Sequence, residues 1–261
     1  MPTPSFPDQS WFGAAPQRVL ALSTSSEWCS VALRCAGVTG ARRSFLGERA
    51  GHEHSRLVLV MARQLLAEAG LGFGDLDLIG FDAGPGTFTG LRIGCGIAQG
   101  LGFALNRPLV AVSALEALAL QSGADLALAA TDARMREIYA GAYRLHQGDP
   151  LPLDPVRVLP PAATLGHLLA CVEASETGAR VCAIGDGFRQ YPDLAQALQQ
   201  RGVVVQADAW VRADAVAELA ALRATQGRVL AARDAAPLYV RDKVALDVDE
   251  QQRLRQARDA G

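Results

Sequence analysis

The chain has 261 residues, of which 50% are hydrophobic and 20% charged, and a formal net charge of −2 at pH 7. That length allows one large domain or two small ones, with apolar residues enough for a sizeable core. The near-neutral charge argues against strong nucleic-acid binding by this chain alone, and no apolar run approaches the roughly 18 residues that a membrane span needs.

Residues 1–16 carry Pro2, Pro4, Pro7 and Pro16 without a periodic pattern. They read as a disordered leader with Trp11 and Phe12 as its anchors, and with no basic-then-apolar order of a signal peptide. Arg18 to Ser25 is an apolar strand ending in hydroxyl residues; Trp28 to Leu33 and Gly40 to Leu46 suggest a second and a third. A helix follows from His54 to Ala69, apolar at Leu57, Val58, Met61, Leu65 and Leu66. His52 and His54 are two residues apart and point to different helical faces, so a solvated or capping pair is preferred over a metal site.

An apolar strand, Leu76 to Phe81, enters the stretch Asp82-Ala83-Gly84-Pro85-Gly86-Thr87-Phe88-Thr89-Gly90-Leu91-Arg92-Ile93-Gly94. Gly84 and Gly86 around Pro85 predict a sharp turn. Thr87 or Thr89 then caps a helix running to Leu105. A strand, a Gly-rich turn and a helix N-terminus offer free N–H groups to an anion. Gly84, Gly86, Thr87, Thr89 and Arg92 are therefore candidates for an anion or nucleotide contact, with bracing of the turn as the alternative. No Gly-Lys-Ser/Thr follows, so this is not a Walker loop.

Five glycines, Gly90, Gly94, Gly96, Gly100 and Gly102, fall inside that helix, each costing about 1 kcal/mol against Ala. Gly90, Gly94, Ala98 and Gly102 form one smooth stripe at i, i+4 spacing. Tight packing inside the chain and a helix contact with a second subunit both explain such a stripe.

Pro108 to Val112 is a short strand. Ser113 then caps a helix from Ala114 to Leu120, with Glu116 placed for a capping box. This closes a first lobe, 17–122. Leu126 to Thr131 restarts the pattern, and Asp132-Ala133-Arg134-Met135-Arg136-Glu137-Ile138-Tyr139-Ala140 turns and returns through Tyr143. Asp132 is either a turn acid paired with Arg134 or Arg136, or a carboxylate facing an interlobe cleft; Arg134 and Glu137 are cleft candidates beside it. A Pro-rich connector, Pro150 to Pro161, holds a strand at Val156–Leu159. A helix at Thr164–Glu173, a strand at Arg180–Ile184, a turn at Gly185-Asp186-Gly187, a helix at Leu194–Gln200, a strand at Val203–Gln206 and an Ala-rich helix from Asp214 to Thr225 follow. The second lobe spans 123–245, and 246–261 reads as a flexible charged tail. Cys29, Cys35, Cys95, Cys171 and Cys182 contain no Cys-x-x-Cys and are expected as reduced thiols of a cytoplasmic protein.

A meander of three strands, a helix and a further strand match the start of an RNase H-like unit. The predicted class is α/β: two tandem RNase H-like, actin-like subdomains with mixed five-stranded sheets flanked by helices. In that superfamily the first strand ends in an Asp that organises metal and phosphate. Here the position is Ser23, and a hydroxyl cannot supply that charge.

The first strand with its hydroxyl end, Gly84 to Gly94, Asp132 to Tyr139 and Pro237-Leu238-Tyr239-Val240-Arg241 together resemble the bacterial TsaB (YeaZ) family of tRNA threonylcarbamoyladenosine biosynthesis proteins. The resemblance spans residues 18–245, and Gly84–Arg92 is its most specific part. It implies a two-lobed scaffold without a catalytic centre, paired with a TsaD-like threonylcarbamoyl transferase and joined by a TsaE-like ATPase. It further implies a homodimer when alone, tRNA engaged only through the complex, no tightly bound cofactor, and room for a nucleotide at the complex interface. The helices at 54–69 and 88–105 form much of the subunit contact in the family, which points to Leu57, Val58, Met61, Leu65, Gly90, Gly94 and Ala98. TsaD-like proteins carry His-x-x-x-His after the strand that follows the Gly-rich helix; here those positions are Ala114 and Leu118, with Glu116 between them. An actin-fold ATP-binding enzyme or a metallopeptidase acting alone is the competing class, and the residues at 23, 114 and 118 count against both.

Overall fold

The computed structural model describes residues 17–37, 40–51, 53–175 and 178–240. The leader 1–16, His52, Arg241 and the tail beyond it lie outside the described residues.

Two sheets carry the fold. In the first, β1 (Arg18–Ser23), β2 (Trp28–Cys35) and β3 (Arg42–Arg49) form an antiparallel meander, and β4 (Leu78–Gly84) and β5 (Leu109–Ser113) add in parallel, giving the order β3-β2-β1-β4-β5. The second repeats this order from β6 (Leu126–Arg134), through β7 (Glu137–His146) and β8 (Asp149–Pro152) on one side and β10 (Val181–Ile184) and β11 (Val204–Gln206) on the other. A short β9 (Arg157–Leu159) also pairs with β7, so this sheet has six strands on its main path and branch. The two RNase H-like units expected from the sequence are therefore present. The sixth strand is β9, within the Val156–Leu159 strand expected from the sequence; β8, the counterpart of β3, is the strand not expected, hidden by its two prolines, Pro150 and Pro152.

Alternation along each strand sorts side chains between layers. Leu20 and Leu22 of β1 face outward, where α1 (His54–Glu68) and α2 (Phe88–Leu105) bury Leu57, Met61, Leu65 and Ala98 over them. Val19 and Ala21 face inward, onto a middle layer made by α3 (Ala114–Ser122) and α7 (Ala213–Thr225). The outer face of the second sheet is covered by α4 (Pro161–Glu173), the short α5 (Gly187–Gln190) and α6 (Pro192–Gln199).

In space the two middle helices are exchanged. The helix α3, next in sequence to the first sheet, packs mainly on β6 and β7, whereas α7, at the end of the second unit, lies across β1, β2 and β4. The Ala-rich composition of α7 permits this close approach: a Cβ at Gly80 would stand 2.8 Å from the Ala220 methyl. Aromatic rings tie the lobes at the surface. Trp28 of β2 stacks on Trp210 with centroids 4.5 Å apart and planes within 5°. The Arg49 guanidinium lies 5.5 Å from the centroid of the Trp28 ring, and Phe45 packs against Trp210. Among the described residues, no helix is long and apolar enough to cross a membrane.

Candidate functional site

The strand β4 is fully buried and carries one carboxylate, Asp82, just before the Gly-rich turn. Asp82 Oδ2 accepts the Ser23 hydroxyl at 2.8 Å, and Oδ1 accepts the Gly84 amide at 2.9 Å. Complete burial pushes its pKa up, against hydrogen bonds from Ser25, Ser23 and Gly84 that lower it. Ser23 thus holds a buried acid inside the chain. Asp82 is not among the candidate residues that the sequence points to; its signal there is a lone acid in an apolar strand.

The loop between β1 and β2 closes over the turn. Ser25 O accepts the Thr87 amide at 2.7 Å, and the Thr24 hydroxyl donates to Gly90 O at 2.8 Å. A Cβ at Gly86 would run into Ser25, and one at Gly90 into the Thr24 carbonyl. The Gly84–Pro85 peptide is cis and Gly84 has φ 107°. Thr87 is the N-cap of α2 by backbone position, without a side-chain cap bond, and Thr89 lies inside the helix. One N–H expected to meet an anion, that of Thr87, is therefore spent on the chain's own carbonyl. Arg92 turns back instead: its guanidinium lies 3.6 Å above the Phe88 ring, and its Nε donates to the Tyr239 hydroxyl at 3.3 Å.

This places the seven residues expected at a partner surface. Leu57, Val58, Met61, Leu65 and Ala98 are buried in the chain's own outer layer. Gly90 and Gly94 face Thr24, whose Oγ1 would stand 2.5 Å from a Cβ at Gly94. Their small or apolar side chains serve the fit of α1 and α2 onto the first sheet. The open face of α2 is a different one: a Cβ at Gly96 or Gly100 meets nothing within 4 Å, and Phe103 beside them is 84% exposed. Val60 of α1, which packs alongside α2, is also exposed.

Across the cleft stands the hairpin of β6 and β7. Asp132 Oδ1 accepts the Arg134 amide at 2.9 Å, and Oδ2 lies 3.4 Å from Arg134 Nη1. The Asp132 amide donates to Asp186 Oδ1 at 3.2 Å; burial is the main cause that pushes the Asp186 carboxyl above its ordinary range. Arg134, Met135 and Arg136 all take left-handed backbone angles, φ 61°, 53° and 62°, a conformation that costs a non-Gly residue on the order of 1 kcal/mol or more. Glu137 opens β7 opposite Arg134. Asp132, Arg134, Gly86 and Thr87 line one cleft cavity of about 350 Å³, closed on its third side by the segment Leu238–Val240.

The metal corner of a TsaD-like centre does not fit these residues. Ala114 and Leu118 are wholly buried and bring no donor atoms. Glu116 is engaged twice, accepting the Ser113 amide at 3.1 Å and pairing with Arg223 Nη2 at 2.7 Å. His54 is buried with Nε2 3.0 Å from Ser26 O, which makes it a tie between α1 and the β1–β2 loop. Among the described residues, no three His, Cys, Asp or Glu side chains group as a metal site, and all five cysteines are free.

The family model described as TsaD, tRNA N6-adenosine threonylcarbamoyltransferase, matches residues 45–246. The tRNA threonylcarbamoyladenosine biosynthesis protein TsaB of Escherichia coli is 32% identical over 235 residues, covering 87% of this chain and 96% of that protein. This chain belongs to the TsaB family. The TsaB of Haemophilus influenzae is 42% identical over 125 residues, 46% of this chain and 51% of that protein. A solved structure of YeaZ from Pseudomonas aeruginosa, 36% identical, superposes with a TM-score of 0.72 over 86% of this chain and all of the other. A second Pseudomonas aeruginosa structure, described as similar to peptidase YEAZ, gives 0.73 with the same coverage. The TsaB resemblance read from the Gly84–Arg92 motif is thereby shown.

Proposed function

We propose that this chain is a non-catalytic subunit for threonylcarbamoyladenosine formation on tRNA, working in the cytoplasm by pairing with a TsaD-like transferase. The observation that carries this reading is the set of residues at positions 23, 114 and 118. Ser23 is bound to Asp82, Ala114 and Leu118 are core residues, and among the described residues no His, Cys, Asp and Glu side chains group as a metal site. The names of its relatives supply the pathway.

The pairing surface in this reading is the face left open by α1 and α2, around Val60, Gly96, Gly100 and Phe103. Two glycines one turn apart let a partner helix approach closely, and an exposed phenylalanine beside them supplies an apolar anchor. Alone, the chain uses the same face to pair with its own copy. A TsaE-like ATPase joins the pair, a nucleotide sits at the joint, and tRNA is engaged by the assembled complex.

Light scattering after size exclusion tests this, with the chain alone and mixed with its TsaD-like paralogue. A one-to-one heterodimer replacing the lone species is expected. Gly100→Trp should keep the fold and lose both pairings. No association with or without nucleotide, or normal pairing by Gly100→Trp, overturns the reading or its surface. Ala98→Trp is no test, because that side chain has no room inside the core.

A further inference from the structure

The open face of α2 extends well beyond its two glycines. Phe88, Arg92, Gly96, Gly100 and Phe103 recur at steps of three and four residues, and all five are exposed. At 1.5 Å per residue this face runs for about 22 Å. Beside it, α1 exposes Val60, Arg63 and Ala67 at the same spacing.

Charge on this face is one-sided. The helix α2 contains no acidic residue, and Glu68 is the one acid within α1. Glu68 accepts the Gln64 side-chain amide at 2.9 Å, and Glu53, just before α1, is taken up by Arg56. Among the described residues Arg63 makes no ion pair or hydrogen bond, and no residue three or four places to either side of it is acidic. Arg92 is held by neutral groups only, the Phe88 ring beneath its guanidinium and the Tyr239 hydroxyl at its Nε. Its position is fixed, but its charge is not answered.

We propose that this face selects a protein partner with carboxylates opposite Arg63 and Arg92, in preference to a second copy of this chain. The inference rests on the pairing surface proposed above and names the chemistry of what fits it. In a symmetric homodimer the same patch faces itself, so each copy brings two unanswered cations and no spare acid. Four arginines then share an interface in which Gly96 and Gly100 let the helices come close, and such like-charge juxtaposition costs affinity. A partner with acidic side chains at these places turns both arginines into charge-assisted contacts. Because Phe88 already holds the Arg92 side chain, little of its freedom is left to lose on binding. The apolar stripe serves either partner; the two arginines discriminate between them.

Sedimentation of the full chain, alone and mixed with its TsaD-like paralogue, at about 50 and about 300 mM NaCl tests this, since salt in that range shortens the reach of exposed charges. The heterodimer should weaken at least about fivefold with salt, and the homodimer should tighten about threefold. Replacing both charges, Arg63→Gln with Arg92→Gln, leaves Gly96, Gly100 and Phe103 untouched. The double variant should bind the paralogue at least about tenfold more weakly and itself about threefold more tightly, and the salt response of both pairings should flatten. The same salt response in the two pairings, or a folded double variant that pairs as the wild type does, overturns the inference while leaving the pairing surface in place. Absence of both pairings by the wild type at either salt overturns the surface and the inference together. Circular dichroism reports whether the variant is folded; should it unfold, the opposite salt responses of the two wild-type pairings still decide.

Discussion

The Ser23 hydroxyl donates to Asp82 Oδ2 at 2.8 Å, joining the ends of β1 and β4 beneath the Gly-Pro-Gly turn. Both residues are buried. The pair supports the turn and the start of α2.

That geometry gives stability a pH dependence. The folded pKa of Asp82 is raised above the ordinary 3.8, so the folded state holds its proton longer than the unfolded chain does. The resulting contribution is fully present below the unfolded pKa and is lost as pH rises through the folded pKa. Asp82→Asn removes this titration and keeps the size. The stability of the wild type relative to Asp82→Asn should therefore fall as pH rises from the unfolded pKa and level off above the folded one. Urea unfolding of both proteins across pH measures this, and a constant difference would mean that Asp82 does not titrate as described.

The glycines of α2 should separate by face. Gly90→Ala drives a methyl into the Thr24 carbonyl and is expected to destabilise by about 2 kcal/mol or more through overpacking. Gly96→Ala points into open space and should stabilise the monomer by about 0.5–1 kcal/mol through helix propensity. Chemical denaturation at a concentration where the chain is monomeric distinguishes them; equal effects would contradict the packing of α2 on the β1–β2 loop.

The stacked Trp28 and Trp210 come from different lobes. A double-mutant cycle with Trp28→Ala and Trp210→Ala should show a coupling of about 1 kcal/mol. Additive losses would indicate that the rings contribute only their separate burial.

Arg223 and Glu116 join α7 to α3 at 2.7 Å. Arg223→Met leaves the carboxylate without its cation and is expected to cost about 3–5 kcal/mol. Adding Glu116→Gln, which can still accept the Ser113 amide, should recover much of that loss. A double variant no more stable than Arg223→Met would show that the arginine acts through packing rather than charge. Thermal melts followed by circular dichroism report both.

Much of the architecture was legible because strand periodicity reports layers directly. The apolar runs that follow Arg18 and Leu76 marked strands covered on both faces, and the meander-helix-strand order repeated after Leu126. The prolines at 150 and 152 masked β8, since an edge strand tolerates what an inner strand does not. The candidate site was legible as a motif, Gly84 to Arg92, but not as a geometry. Nothing local distinguishes a glycine that faces Thr24 from one that faces water.

By itself, then, the sequence determined the pattern of the two sheets, the turn into α2, a hydroxyl in place of a carboxylate at position 23 and side chains without donor atoms at positions 114 and 118. Those follow from side-chain chemistry and short-range spacing, which any fold must obey. Only the tertiary structure decided that Gly90 and Gly94 look inward while Gly96 and Gly100 look out, that α3 and α7 exchange sheets, and that Arg223 meets Glu116. A periodic pattern says that a face is small or apolar; what covers that face depends on which distant segments the closed chain brings against it.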